Sequence, residues 1–181
     1  MKNHRFVLWT LIALAALAPI GCRSRTDRSE GTVILSVTDF NGLPASLSLS
    51  SGGPFQIDRV TLRNFAKDPL GTTSDLQTIE LRSYEITYRR RDTGTRMPPP
   101  DVEGIFGTVT VNGAKDIINF PVLTSNQLLS QPLKDLGEFG IDRETGTAVI
   151  VLDVSLRFFG RTLSGDDVAS EPATFTLEVR R

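Results

Sequence analysis

The chain has 181 residues, a formal net charge of −1 and a pI of about 5.9, with 39% hydrophobic and 23% charged residues. That balance excludes the basic footprint of a nucleic-acid-binding surface. The single histidine (His4), tryptophan (Trp9) and cysteine (Cys22) all lie near the N-terminus. The remainder is therefore without Ser-His-Asp or Cys-His nucleophiles, imidazole or thiolate metal sites and intrachain disulfides.

Met1 to Arg5 is short and cationic, and Phe6 to Ala18 is a run of 13 residues without charge. A membrane-spanning helix needs about 20 apolar residues, whereas a signal-peptide core needs about this many. Pro19-Ile20-Gly21 then precede Cys22. A small residue directly before a cysteine, after such a run, resembles the lipobox of bacterial lipoproteins, although the usual leucine three residues before the cysteine is Pro19 here. The resemblance implies cleavage between Gly21 and Cys22, with a diacylglycerol thioether and an N-acyl chain of the palmitate type on Cys22. Two or three acyl chains anchor a protein durably, at about 0.8 kcal/mol per buried CH₂. Residues 1–21 are thus expected to be a signal peptide and 22–30 a lipid-anchored tether, with 31–181 as one folded domain. Arg23 follows the cysteine in place of the aspartate of inner-membrane retention. By the same resemblance, the expected location is the cell envelope, on the outer membrane. Processing leaves 18 basic and 21 acidic residues, a net charge of −3.

Arg23 to Glu30 has no apolar residue and reads as a polar tether. From Gly31 onward the hydrophobic period is two, the mark of half-buried strands. Val33, Leu35 and Val37 share a face, as do Leu47 and Leu49, then Val60 and Leu62. Ile79 and Leu81 are odd-numbered, whereas Tyr84, Ile86 and Tyr88 are even, so a β-bulge or break is expected near Arg82. Val109 and Val111, then Ile118, Phe120 and Val122, continue the pattern. Ser125 to Leu136 is the one helical candidate, interrupted by Pro132. Ile150, Leu152, Val154, Leu156 and Phe158 form the longest alternation and predict a strand in the interior of a sheet. Phe175, Leu177 and Val179 close the chain.

Short strands separated by Gly-, Asn-, Asp- and Pro-rich turns predict an all-β fold, a single antiparallel β-sandwich of about 7–9 strands. The strand rhythm of 31–181 resembles immunoglobulin-like or fibronectin-III-like domains of bacterial surface lipoproteins.

Three sets of residues are candidates for chemistry. The acidic pairs Asp142/Glu144, Asp166/Asp167 and Asp101/Glu103 offer oxygen ligands for Ca²⁺, or carboxylates for a small envelope enzyme. Acids in turns more commonly bond their own backbone, so no metal and no cofactor is expected. The stretch Ser83 to Arg96 supplies Tyr88, Arg89, Arg90, Arg91 and Arg96, a candidate surface for anionic groups, and the strand expected over Ile79 to Arg91 is long enough to project as an arm. Pro98, Pro99 and Pro100 extend it as a stiff segment. The favoured reading is a non-enzymatic binding or assembly module with no catalytic residues, held at the membrane through Cys22, whose partner is another envelope protein or a glycan. The alternatives are a carbohydrate-binding module and a carboxylate- or Ca²⁺-dependent envelope enzyme.

Overall fold

A computed structural model describes residues 31–43 and 45–181. The expected signal peptide, Cys22 and the tether lie outside the described residues. The strands are β1 (Val33–Asn41), β2 (Ala45–Ser48), β3 (Phe55–Ala66), β4 (Ile79–Arg90), β5 (Asp101–Val109), β6 (Ala114–Leu123), β7 (Val149–Thr162), β8 (Asp167–Ala169) and β9 (Ala173–Arg180). The fold is all-β in class, with two short α-helices among the described residues, α1 (Ser125–Leu128) and α2 (Leu133–Phe139).

Among the described residues, one sheet has the order β1-β3-β6 and the other β2-β9-β7-β4-β5, with β8 pairing β7 past the end of β9. The larger sheet curls into a half-barrel, and the two sheets pack together. The pairings are antiparallel except one: β2 runs parallel to β9, a departure from the all-antiparallel expectation. β7 lies between β4 and β9, as its long alternation predicts. Ile150, Leu152, Val154, Leu156 and Phe158 are all fully buried. They face Val33, Leu35, Ile57, Val60 and Leu62 of the smaller sheet in one core. Tyr84, Phe120 and Phe158 meet at its centre, with ring centroids 4.7–6.1 Å apart. Tilted aromatic packing of this kind adds to simple burial.

The expected slip in β4 is present. Pairing to both β5 and β7 shifts between Leu81 and Ser83. The extra residue turns the odd-numbered inward face into an even-numbered one, so Ile79, Leu81, Tyr84, Ile86 and Tyr88 are all buried.

A second phase change runs against expectation. Ile118 does not share the face of Phe120 and Val122 but is 60% exposed. Its neighbour Asn119 adopts φ 53°, in the left-handed region that asparagine tolerates. The facing strand changes phase at the same level, burying Ile57 and then Val60. The helical candidate divides at Pro132, which caps the start of α2. β4 is flanked on both sides and does not project as an arm.

Candidate functional site

The basic stretch after Tyr84 divides between two fates, and the bulge at Arg82 decides which residue has which. Beyond it the even positions of β4 point inward. Tyr88 is 7% exposed, and its hydroxyl donates to the Val122 carbonyl at 2.5 Å, joining the two sheets. Burial, and then the nearby Asp101, pushes its hydroxyl pKa well above the usual tyrosine range.

Arg90 is the next even position and is also buried. Its Nε and Nη2 donate to both carboxylate oxygens of Asp92, at 2.6 and 2.9 Å. Nη2 also reaches Asp142 Oδ2 at 2.8 Å, and Nη1 reaches the Arg96 carbonyl at 3.3 Å. Asp142 accepts further from the Thr145 hydroxyl and the Glu144 amide. Burial alone would raise both carboxyl pKa values. The hydrogen bonds from Arg90 and from neighbouring donors outweigh it and hold Asp92 and Asp142 below the ordinary aspartate value.

Glu144 completes the clamp. Its carboxylate accepts from the Thr95 amide and hydroxyl and from the Arg96 amide. Those bonds lower its pKa. Gly94 lies against the Arg90 guanidinium so closely that a Cβ there would come within 2.4 Å of Cζ. The β4–β5 loop and the α2–β7 loop are therefore bolted together by the Arg90–Asp142 ion pair and by backbone amides that donate to Glu144.

Arg90, Tyr88 and Pro98 are thus corrections to the candidate surface: all three are buried, and the side chains of Arg90 and Tyr88 point inward. Pro99 and Pro100 are exposed. Arg96 turns toward the helical segment, with Nη1 2.9 Å from Gln131 Oε1 and 4.0 Å from Asp135. The acidic pairs likewise serve the fold. Glu103 accepts from the Tyr84 hydroxyl at 2.8 Å, Asp166 bonds Thr162 and Ser164, and Asp167 faces Arg161 at 3.8 Å. Among the described residues, no cluster of three or more His, Cys, Asp or Glu could hold a metal ion.

The odd positions Arg89 and Arg91 remain outward, where the structure brings them together with residues the sequence reading did not name. On the outer face of the larger sheet, Arg89 pairs across strands with Asp153, and Asp153 with Thr176. One step along, Thr87 pairs with Ser155 and Ser155 with Thr174. These two polar rows line a shallow trough of about 490 Å³, closed at one end by Arg91. Arg91 donates to Thr176 Oγ1 at 3.0 Å, and Thr176 in turn donates to Asp153 at 3.0 Å. Arg89 is exposed and has no hydrogen-bond or ion-pair partner among the described residues. The trough presents a free guanidinium, four hydroxyls and one carboxylate. A surface of that kind holds a hydroxylated or anionic ligand by hydrogen bonds.

No protein-family model and no curated protein sequence matches the chain. A similar solved structure is the solution structure of a candidate late embryogenesis abundant (LEA) protein. It is 12% identical, covers 99% of this chain and 86% of its own, and has a TM-score of 0.44.

Proposed function

We propose that this chain is a non-enzymatic lipoprotein of the bacterial cell envelope. In this reading, an immunoglobulin-like sandwich is anchored on the outer membrane through Cys22 and binds an acidic glycan in the trough. The observation that carries the ligand class is Arg89, an unpaired guanidinium set among Thr87, Ser155, Thr174 and Thr176. Arginine forms paired hydrogen bonds to carboxylates, and its planar fork is largely preorganised. The hydroxyl rows suit the remaining oxygens of a sugar acid.

The strand order supports the immunoglobulin-like part. In that fold the first, second and fifth strands share one sheet, while the third, sixth and seventh share the other, sometimes with an added strand beside the third. Here β1, β3 and β6 stand against β4, β7 and β9, and β5 lies beside β4. A first strand that divides, giving β1 to one sheet and β2 to the other, accounts for the parallel β2–β9 pair.

The anchor is tested by Cys22→Ser, which should leave the chain unprocessed or release it from the membrane fraction. A variant that stays with membranes at the wild-type mature mass removes the anchor. The ligand is tested with polygalacturonate as the acidic probe and an uncharged dextran as its control. Arg89→Ala should weaken polygalacturonate binding at least tenfold without lowering the melting temperature, and dextran should bind neither form. Equal binding by wild type and variant would place recognition elsewhere. Hydrolysis of a glycan, ester or phosphate that is lost on replacing one Asp or Glu would make the protein an enzyme.

A further inference from the structure

We infer that the end of the sandwich where the chain enters lies against the bilayer, with Leu70, Leu76 and Leu163 as the contact and the trough held off it toward the far end. The inference rests on the lipid anchor proposed at Cys22.

Three observations converge on that end. The first is the path of the chain. The Lys67 amide donates to the Thr32 carbonyl at 3.0 Å, and Gln77 Nε2 reaches the Thr32 hydroxyl at 3.2 Å. The entering chain is thereby stitched to the β3–β4 connection. Only eight residues separate Cys22 from Gly31. Fully extended they reach at most about 30 Å, so the entering end cannot lie far from the acyl chains.

The second is exposed apolar surface with no role in the fold. Leu70 is 97% exposed, Leu76 57% and Leu163 48%. The Ser164 amide donates to the Leu76 carbonyl and the Leu163 amide to the Thr78 carbonyl, both at 3.0 Å, so the two loops that carry Leu76 and Leu163 form one edge. Each leucine alone gains little from a membrane. On a short tether the effective concentration of membrane is high, and weak contacts become persistent.

The third is charge. The same loops carry Asp68, Asp75, Asp166 and Asp167 against Lys67 and Arg161. Anionic headgroups would be repelled, and zwitterionic phosphatidylethanolamine, with an ammonium to meet the acids, is the fitting surface. The trough, on the outer face of the larger sheet, lies toward the other end, where Arg89 and Arg91 stand beside the start of β7, and so is held off the anchoring bilayer.

Cleavage before Cys22 leaves a chain without tryptophan, so a single introduced Trp is a clean reporter. The experiment uses the lipidated, processed chain in phosphatidylcholine–phosphatidylethanolamine vesicles that contain brominated acyl chains. Leu70→Trp marks the entering end, and Leu129→Trp, at a position 72% exposed beside α1, marks the opposite end. Leu70→Trp should shift its emission to the blue and be quenched by bromine, while Leu129→Trp should stay solvated and unquenched. Quenching at neither position, at both, or at Leu129→Trp alone overturns the inference. Flotation of the protein with the vesicles reads the anchor separately. Protein that does not float removes the anchor and this inference with it, whereas floating protein unquenched at position 70 removes the inference alone.

Discussion

Arg90 Nη2 lies 2.8 Å from Asp142 Oδ2, with both side chains at most 2% exposed, although the two are 52 positions apart in the chain. Two charges out of water are costly unless each is fully bonded. Here the guanidinium makes four hydrogen bonds, and the Asp142 carboxylate accepts three. The pair fixes the last turn of β4 to the loop that feeds β7, and so sets the position of Arg89 and Arg91 one residue to either side.

Asp142→Ala should therefore cost about 3 kcal/mol, the low end for breaking a buried pair, because Asp92 still accepts from Arg90. Urea denaturation at pH 7 measures it. A loss under about 0.5 kcal/mol, the level of a surface substitution, would show that the pair contributes nothing to the fold.

The same carboxylates predict the pH dependence. The native pKa values of Asp92, Asp142 and Glu144 all lie below their ordinary values. Groups depressed in the native state bind fewer protons there than in the unfolded chain. Their stabilisation is complete above the unfolded values, about 3.9 for Asp and 4.3 for Glu, and is lost as pH falls through the lower native ones. The urea midpoint should hold steady from pH 7 to 5 and drop below about pH 4. In Asp142→Asn that drop should be shallower. An identical pH profile in the variant would remove Asp142 from the explanation.

Gly160 on β7 faces the bulge in β4. A Cβ at this position would sit 2.6 Å from the Glu80 carbonyl oxygen and 2.7 Å from Ile79 Cγ2. Neither neighbour is the loose end of a long side chain, so the backbone must move. Gly160→Ala should destabilise by about 1–3 kcal/mol, as overpacking does. Thermal melting of the variant checks this, and an unchanged midpoint would mean that the bulge relaxes freely.

Two apolar truncations read the register. Leu152 is fully buried between β4 and β9, and Leu152→Ala should cost about 2–5 kcal/mol. Ile118 lies past the phase change at Asn119, and Ile118→Ala should cost about 0.5 kcal/mol or less. Equal losses at the two positions would falsify the inverted phase of β6.

Much of this fold follows from local alternation. Most of the strands, the slip at Arg82 and the interior place of β7 were visible in the period-two pattern, whereas β8 and the first half of β5, which alternate no buried apolar residues, were not. The burial of Arg90 was missed: its place in an Arg89-Arg90-Arg91 run reads as solvated, although it continues the inward phase of Tyr84, Ile86 and Tyr88. Asn64, buried after Val60 and Leu62, follows the same logic. The phase change at Asn119 was hidden because a left-handed asparagine leaves no mark on hydrophobicity. The trough was hidden for another reason. Asp153, Ser155, Thr174 and Thr176 each read as the polar face of their own strand. Only the pairing of β4 with β7 and of β7 with β9 places them beside Arg89.

The division of the first strand also has a mechanical consequence. If the chain is held at Cys22 while a ligand is held at Arg89 and Arg91, tension runs from the entering end toward the far end, parallel to the strands. β1 is then dragged lengthwise along β3, and the hydrogen bonds from Val33–Ala66 to Asn41–Arg59 resist together instead of parting one by one. β2, gripping β9 in the opposite sheet, stands behind β1 as a second catch on the same length of chain. A domain strung this way between a surface and a polymer would resist stretching far better than its equilibrium stability indicates.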